Sequence, residues 1–327
     1  MGRTSLAIGA VLSMTLALSL CAATAQAQTY PNRPIRIIVP TPPGGPVDAV
    51  ARALAHAVAP PLGQVVIVDN RAGAGNTIGS KEAAVAEPDG YTLLFSSASG
   101  LVIAPMLHRQ AGYDSIRSYS PIALVAESYN ILVVNPSVPA KSVQELVAYA
   151  KANPGKVNFS SGGIGVLPHL IGEMFKARAG IEIVHVPYRG GGPSITDVLG
   201  GQVDMTFEGT SILLPLIQAG KLRALAVTSP FRIPQLPDVP TMIEAGYPGF
   251  STTSWTGLLA PAKTPPEITA SLNKHVNAAL ASPEFVAALS TLSSQPVGGP
   301  PQALSEIIAA DTDKWAPIVK SLHLQMD

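Results

Sequence analysis

The chain has 327 residues, and its 21 lysines and arginines balance its 21 aspartates and glutamates, so the formal net charge is zero. This length indicates roughly two domains, each large enough for a substantial core. The charges are scattered rather than gathered into a basic patch, which excludes nucleic acid as the partner.

The N-terminus has the pattern of a targeting segment. Arg3 precedes the apolar stretch Leu6–Ala23, and Ala25-Gln26-Ala27 matches a small-x-small cleavage site. Residues 1–27 are therefore predicted to be a signal peptide, and the mature chain is expected in the periplasm. Cys21 raises the alternative of a lipoprotein; if it leaves with the signal, no cysteine remains for thiol catalysis or for metal binding. No later apolar stretch reaches the roughly eighteen residues needed to span a bilayer.

The first third of the chain alternates short apolar runs with helical patterns. Such apolar strands joined by helices predict a parallel sheet covered on both faces. Pro60-Pro61 is expected to end the first helix, and Asn76 to cap the second. In order, the predicted elements are strand Ile35–Pro40, helix Pro46–Ala59, strand Val65–Val68, helix Asn76–Ala86 and strand Tyr91–Phe95.

Ile122–Val134 is longer than an ordinary strand and has the polar middle Glu127-Ser-Tyr-Asn130, which predicts a segment that passes between two domains. A second α/β alternation follows, and the chain from Pro265 to His323 is expected to be mostly helical. Two α/β lobes connected by crossing strands indicate a hinged binding protein whose cleft closes on a ligand. The elements predicted here are helix Val143–Ala152, strand Val157–Phe159, helix Pro168–Ala177, strand Ile181–Val186, helix Pro193–Leu199, and strands Val203–Phe207, Leu222–Thr228 and Ser254–Ala260.

Three strand-like runs lead into a glycine-rich loop that a proline turns into a helix. The loops are Pro43-Gly-Gly-Pro46, Gly162-Gly-Ile-Gly-Val-Leu-Pro168 and Arg189-Gly-Gly-Gly-Pro193. Proline suits the first helical turn, and the preceding glycines leave backbone N–H groups accessible. Because helix N-termini attract anions, the loops predict a cleft that binds an acid.

Each candidate residue also has an ordinary structural role. Asp48 either accompanies a ligand or caps its own helix, and His169 either faces the cleft or packs within the fold. Arg189 is a bidentate partner for a carboxylate or a solvated surface residue. Glu208, after the strand Val203–Phe207, binds an ammonium or hydroxyl group of a ligand or lies on the surface.

The sequence contains none of the common catalytic or cofactor motifs. Gly163-x-Gly165-x-x-Pro168 lacks the third glycine of a dinucleotide fingerprint, and neither of the first two glycine-rich loops carries a GxxxxGK[ST] phosphate loop. The chain has no Gly-x-Ser-x-Gly elbow, and its six histidines form no metal-binding pair four residues apart. No cofactor, metal site or catalytic residue is predicted.

These features together resemble the Bug family, the periplasmic substrate-binding proteins of tripartite tricarboxylate transporters. The resemblance extends from Tyr30 to Lys320 and is specific only as a set. Its landmarks are Tyr30-Pro-x-Arg-Pro-Ile-Arg, Pro43-Gly-Gly, Asp69-Asn-Arg-Ala-Gly-Ala-Gly, Pro88-Asp-Gly-Tyr-Thr-Leu-Leu, Pro187-Tyr-Arg-Gly-Gly-Gly-Pro, Gly220-Lys-Leu-Arg-Ala-Leu-Ala-Val-Thr-Ser and Ala260-Pro-Ala-x-Thr-Pro.

The resemblance implies a type II-like periplasmic binding protein with two parallel-rich sheets, flanking helices and hinge strands between its lobes. Residues 28–125 are assigned to lobe 1, residues 126–227 to lobe 2, and residues 228–327 to a return segment and C-terminal helices in lobe 1. The implied protein is a monomer that captures a small carboxylate, without catalysis, and delivers it to inner-membrane transporter subunits. A sensor that passes its loaded form to a signalling receptor is the alternative.

In the family, the loops matching Pro43–Asp48 and Ser161–Val166 grip one carboxylate. Pro46, Val47 and Val166 replace the hydroxyl-bearing residues or N–H donors that are usual there, so an aromatic or short aliphatic acid is favoured over citrate. A secreted hydrolase that uses Ser160 or Ser161 with His169 is the enzyme alternative. The residues predicted to bind the ligand are Pro43, Gly44, Gly45, Val47, Asp48, Ser97, Ser161, Gly163, Ile164, Gly165, Val166, His169, Arg189 and Glu208.

Overall fold

The computed structural model describes residues 30–108 and 110–323. The chain divides into two units, Met1–Asn32 and Arg33–Asp327, and the second contains the strands and helices given below. The predicted signal peptide and Cys21 lie outside the described residues.

Strands and helices alternate through most of the second unit. The strands are β1 Ile35–Val39, β2 Val66–Asn70, β3 Thr92–Ser97, β4 Tyr119–Val134, β5 Asn158–Ser161, β6 Val184–Pro187, β7 Met205–Gly209, β8 Arg223–Val227, β9 Thr253–Pro261 and β10 Gln295–Pro296. The α-helices are α1 Pro46–Leu62, α2 Thr77–Ala84, α3 Ala104–Leu107, α4 Val143–Ala152, α5 Leu167–Ala179, α6 Gly191–Leu199, α7 Thr210–Gln218, α8 Pro266–Leu280, α9 Pro283–Thr291 and α10 Gln302–Ser321. A short 3₁₀ helix spans Ala74–Asn76, and a π-helical turn spans Ser99–Ile103.

The strands form one continuous sheet with two parallel-rich regions. The strand order is β2-β1-β3-β9-β4-β7-β5-β6, and β8 and β10 also pair with β4. β1 pairs in parallel with β2 and β3, while β5 pairs in parallel with β6 and β7. The predicted α/β fold class, with two parallel-rich sheet regions and flanking helices, is therefore confirmed.

The long strand β4 connects the two regions. Its first part, Tyr119–Tyr129, pairs with β9, and its last part, Asn130–Val134, pairs with β7. The change of partner falls between Tyr129 and Asn130, within the polar middle that the sequence showed. The boundary between lobes predicted at residues 125 and 126 stays a prediction.

Several helix boundaries differ from the sequence-based expectation, and two of the differences involve proline. Pro60 and Pro61 do not end α1, which continues to Leu62 and stops at Gly63 in a left-handed conformation. The prolines are tolerated because they lie in the last turn, and the glycine provides the helix end. α6 begins at Gly191 rather than Pro193, since a first turn has free N–H groups at several positions and accepts proline beyond the first one.

Two other assignments need correction. Asn76 precedes α2 in a left-handed conformation, and its side chain makes no capping hydrogen bond. Helix α7 and the helical turns between Ser99 and Leu107 were not predicted. The N-cap residue of α7, Gly209, is followed by Thr210 rather than by a proline.

Aromatic side chains occupy the centre of the core. Phe175 packs edge-on against Phe207 with ring centroids 5.7 Å apart, and Phe207 stacks on Phe250. Trp255 and Trp315 are both almost fully buried. The Trp255 indole N–H donates to Asp311 Oδ2 at 2.8 Å, whereas the Trp315 indole N–H has no acceptor among the described residues.

Candidate ligand-binding site

A cavity of about 260 Å³ lies where four helical segments begin. The segments follow the carboxyl ends of β1, β3, β5 and β7, which is where α/β sheets place ligand sites. Each contributes its first residues to the lining: Pro46 and Val47 of α1; Ser97, Ala98 and Ser99 before and in the π-helical turn; Val166, Leu167 and Pro168 at the start of α5; and Gly209, Ser211 and Ile212 at the start of α7.

β4 and β9 supply a polar wall to the same cavity. Asn130 and Ser128 come from the middle of β4, and Ser254 and Thr256 come from β9. Ser254 Oγ donates to Asn130 Oδ1 at 3.3 Å. Thr256 Oγ1 is buried and has no hydrogen-bond partner among the described residues, so it is available to a ligand or to water.

Val47, Ser97, Val166 and Glu208 are the predicted ligand-binding residues that line this cavity. Of the other predicted residues, Ile164 and Arg189 have exposed side chains. The predicted residues outside the lining are Pro43, Gly44, Gly45, Asp48, Ser161, Gly163, Ile164, Gly165, His169 and Arg189.

Asp48 stabilises the first loop from within. Its Oδ2 accepts the Gly44 N–H at 2.8 Å and pairs with Arg52 Nε at 2.9 Å, and its Oδ1 accepts from Asn70 Nδ2 at 2.9 Å. Burial raises the pKa of Asp48, but the hydrogen bonds from Arg52, Gly44 and Asn70 outweigh burial and lower it overall. Of the two roles considered for Asp48, the structure shows the internal one.

The second loop is also held by side chains of the fold. Ser161 Oγ donates to the Gly163 carbonyl at 2.8 Å, and the Gly163 N–H donates to Ser161 Oγ at 3.2 Å. The Gly165 N–H donates to His169 Nδ1 at 3.0 Å. Gly165 has a φ of +78°, which favours glycine, and a Cβ there would require the tip of the Leu107 side chain to shift.

The N–H groups of Gly44, Gly163 and Gly165, which the sequence suggested as ligand donors, are thus used inside the protein. The N–H groups left without partners by helix geometry are those of the first turns. In α1 these belong to Val47 and Asp48, and in α5 they include Leu167 and His169. The first turns, rather than the preceding glycines, are the parts of these segments that line the cavity.

Two histidines stack behind the second loop. The His169 and His185 ring centroids are 3.8 Å apart with an interplanar angle of 16°. Burial lowers the pKa of His169 to about 4; burial and the neighbouring His169 lower that of His185 to about 4. Both rings are therefore neutral at neutral pH, and His169 Nδ1 is free to accept the Gly165 N–H.

The serine and histidine geometry does not match the enzyme alternative. Ser161 Oγ lies 2.7 Å from His185 Nε2, not beside His169, and Ser160 Oγ accepts a hydrogen bond from Ser194. Ser160 and Ser161 are fully buried and neither lines the cavity.

Of the two acidic residues that line the cavity, Glu208 has the more strongly shifted pKa. Its side chain is buried, and burial raises its pKa to about 7, against the lowering effect of the Gly209 N–H. Glu127 also lines the cavity, and burial raises its pKa as well, although a hydrogen bond from Tyr129 opposes the effect.

Sequence reasoning missed the lining residues of β4, β9 and α7. For Ser128 and Asn130 a signal existed, namely the polar interruption in an otherwise apolar strand. Ser254 and Thr256 lie on an ordinary strand, and Ser211 lies in a helix without a proline start, so no comparable signal marks them in the sequence.

Two classes of feature are not found in the part of the chain that the structure covers. Within residues 30–108 and 110–323, no helix combines the length and apolar character needed to cross a membrane. The same residues contain no cluster of three or more histidine, cysteine, aspartate or glutamate side chains arranged to hold a metal ion.

Residues 50–324 match the family described as "Tripartite tricarboxylate transporter family receptor". The chain belongs to this family. The receptor is 41% identical over 312 residues to Protein BugT of Bordetella pertussis, an alignment that covers 95% of this chain and 96% of BugT. The resemblance to Bug proteins expected from the sequence is confirmed.

Solved structures of similar proteins support the same assignment. The periplasmic binding protein BugD is 38% identical with a TM-score of 0.75, over 91% of this chain and 100% of BugD. A Rhodopseudomonas palustris protein with adipate is 34% identical with a TM-score of 0.78, over 90% of this chain and 99% of that protein. MatC of the same organism, with bound malate, is 30% identical with a TM-score of 0.75, over 89% and 100% of the two chains. These relatives are solute-binding proteins, and this receptor is one of them rather than an enzyme.

Proposed function

We propose that the receptor captures a small carboxylate in the periplasm and delivers it to inner-membrane transporter subunits. The observation that carries this proposal is the cavity lined by the N-terminal ends of several helices, two of which, α1 and α5, are long. Helix N-termini present unpaired N–H groups and a positive dipole end, which together bind anions. The relatives solved with adipate and malate support a carboxylate as the ligand class.

The first turns of α1 and α5 hold the carboxylate in this proposal. Val47 and Val166 bring apolar side chains beside those turns, and Val50, Ile212 and Trp255 extend the apolar lining. A cavity of about 260 Å³ is at the small end of ligand sites, which favours a compact aromatic or short aliphatic acid. The two sheet regions act as lobes, with β4 at the hinge, and close over the ligand.

The ligand class is tested by thermal denaturation with benzoate, butyrate, adipate, malate and citrate. A ligand present at 100 times its Kd adds about 2.7 kcal/mol of stability, which gives a clear shift in Tm. Stabilisation by benzoate or butyrate supports the preferred class. Stabilisation by citrate with none by the monocarboxylates would refute that preference.

The carboxylate position is tested with Val47→Asp and its uncharged control, Val47→Asn. Both residues suit the first turn of a helix, so the fold is expected to be retained. Two unit charges about 4 Å apart repel by about 4 kcal/mol at an effective dielectric constant near 20, so the aspartate variant should lose at least about 100-fold in affinity. The asparagine variant should bind within about tenfold of the parent. Equal affinities of the two variants would place the carboxylate elsewhere.

A further inference from the structure

Glu208 lines the cavity, and its carboxyl group has no positively charged partner among the described residues. It is the fourth residue of β7, its side chain is only 7% exposed, and it lines the cavity next to Gly209. No arginine or lysine among the described residues forms an ion pair with it, whereas the buried Asp48 and Asp311 each have such a partner. A buried carboxylate without a cation is unfavourable unless something else satisfies it.

The rest of the lining increases the negative character of the cavity. Glu127 is its other acidic residue, and the described residues that line it include no lysine, arginine or histidine. Burial raises the pKa of Glu208 to about 7, with the Gly209 N–H opposing this effect. The cavity therefore combines helix ends that attract one anion with a buried carboxyl group that repels a second one.

Thr256 gives an independent sign that this part of the cavity receives a polar group. Its side chain is about nine-tenths buried, it lines the cavity, and its hydroxyl has no partner among the described residues. Buried hydroxyl groups are normally hydrogen-bonded, so an unpaired one in a cavity wall indicates that a ligand or water completes it.

Glu208 is also close enough to the helix ends for one small molecule to reach both. β7 lies beside β5 in parallel, with Thr206 opposite Ser160, and β5 leads into α5. Neighbouring strands are about 4.8 Å apart, so a ligand held at the start of α5 has its other end within a few ångströms of β7.

We propose that the ligand carries an ammonium group as well as a carboxylate, and that Glu208 binds this ammonium group. The substrate class is then a small amino acid rather than a dicarboxylate. The inference rests on the proposed carboxylate capture at the starts of α1 and α5. It adds a second, oppositely charged subsite to that function.

An internal role for Glu208 is the competing explanation. A Cβ on Gly191 would lie 3.5 Å from Glu208 Oε1, so the carboxyl group is near the start of α6 as well as near α7. However, neither helix has a side-chain cap at its N-cap residue. If Glu208 only stabilises the starts of these two helices, its replacement changes the stability of the protein and leaves its ligand selectivity unaltered.

The test is titration calorimetry with three series of matched chain length. The first contains amino acids from glycine to 6-aminohexanoate together with alanine and 2-aminobutyrate, the second the corresponding monocarboxylates, and the third the dicarboxylates. Simple alkylamines complete the panel. Each is measured with the parent protein, with Glu208→Gln, and with Glu87→Gln as the control at an exposed glutamate outside the cavity lining.

We expect an amino acid to bind about tenfold or more tightly than the monocarboxylate of the same length, the effect of one partly buried ion pair. Glu208→Gln should abolish this advantage, and Glu87→Gln should retain it. Binding should also release protons, because an ammonium group favours ionised Glu208, so affinity should rise between pH 6 and pH 8. Urea unfolding of the Gln variants verifies that they are folded.

Several results would overturn the inference. A dicarboxylate that binds most tightly, with proton uptake, would show that the ligand is a second anion and would leave the proposed function intact. An amino acid preference that persists in Glu208→Gln would remove Glu208 from the subsite. If alkylamines bind in a Glu208-dependent manner and carboxylates do not, the carboxylate capture fails, and with it the inference that the ligand is an amino acid. Binding of none of these compounds would refute both.

Discussion

Replacing His169 should change how the stability of the receptor depends on pH. His169 is 4% exposed, it stacks on His185, and its Nδ1 accepts the Gly165 N–H. Asparagine can offer an acceptor at nearly the same place as Nδ1 but has no titrating group. His169→Asn therefore removes the proton-binding site while it keeps the loop contact.

The size of the effect follows from the pKa. Burial lowers the pKa of His169 from an ordinary value of 6.5 to about 4. Between these values the unfolded chain binds a proton that the folded chain does not, so lowering the pH favours unfolding. The stability is fully present above pH 6.5 and is lost as pH falls towards 4, and the shift corresponds to about 3 kcal/mol for this one group.

Other groups titrate in the same range, so the difference between parent and variant is the quantity to measure. His185, whose pKa is also about 4, loses stability in the same direction. Glu208 acts in the opposite sense, because its pKa is raised to about 7 and its protonation on acidification favours the folded state. Both residues are present in parent and variant, and most of their contribution cancels in the difference.

The assay is urea unfolding followed by tryptophan fluorescence at pH values from 7.5 to 4.5. The stability advantage of the parent over His169→Asn should shrink by about 2 to 3 kcal/mol across this range. His56→Asn, at an exposed position on α1, is the matched control for deletion of an imidazole, and its difference should change by less. A difference for His169→Asn that stays constant from pH 6.5 to pH 4.5 would refute the reasoning that His169 is held neutral by burial.

Three further substitutions test how the site and the core are held. Gly165→Ala should destabilise the fold by about 2 to 4 kcal/mol, from its positive φ and its steric contact, whereas Gly155→Ala, with a φ of +73° and open space, should cost only about 1 to 2 kcal/mol in urea unfolding. Trp255→Phe should cost about 1 to 3 kcal/mol more than Trp315→Phe, since only the first indole N–H has an acceptor among the described residues. Asp48→Ala should lower stability by about 1 to 3 kcal/mol and weaken ligand binding measured by calorimetry, because it removes the acceptor that fixes the first loop.

Each of these substitutions has an outcome that contradicts its reasoning. Equal costs for the two glycine replacements would mean that the space around Gly165 is not limiting. Equal costs for the two tryptophan replacements would mean that the indole hydrogen bond adds no stability. If Asp48→Ala binds ligand as tightly as the parent, the first loop does not depend on its carboxylate.

The alternation of strands and helices could be predicted from the sequence because it depends on local patterns. α4 was predicted with the bounds that the structure shows, and α1 was predicted from its apolar face and its proline start. Helix α7, which begins without a proline, was missed, although α4, which also begins without one, was predicted. A helix can be predicted from the sequence when its own residues contain a recognisable local signal, such as an apolar face or a proline start.

The site was predicted only at the level of loops. Glu208 and Val166 were identified because they follow apolar strands, and strand ends are where α/β proteins bind ligands. The acceptor of each backbone N–H group could not be predicted, since the Gly44 and Gly165 N–H groups donate to side chains whose positions depend on the folded loops. Asn130 and Ser254 could not be paired from the sequence because they are 124 residues apart.

The sequence by itself determined the α/β class, the family and the glycine-proline starts of α1 and α5, because strand and helix periodicity and proline geometry are properties of short segments. The tertiary structure decided the strand order, and with it which helix ends meet at one cavity. It also decided that the first turns of α1 and α5, rather than the glycines before them, line that cavity, and that Glu208 is buried there without a cation among the described residues. These properties arise from pairings between distant segments, which no local pattern specifies.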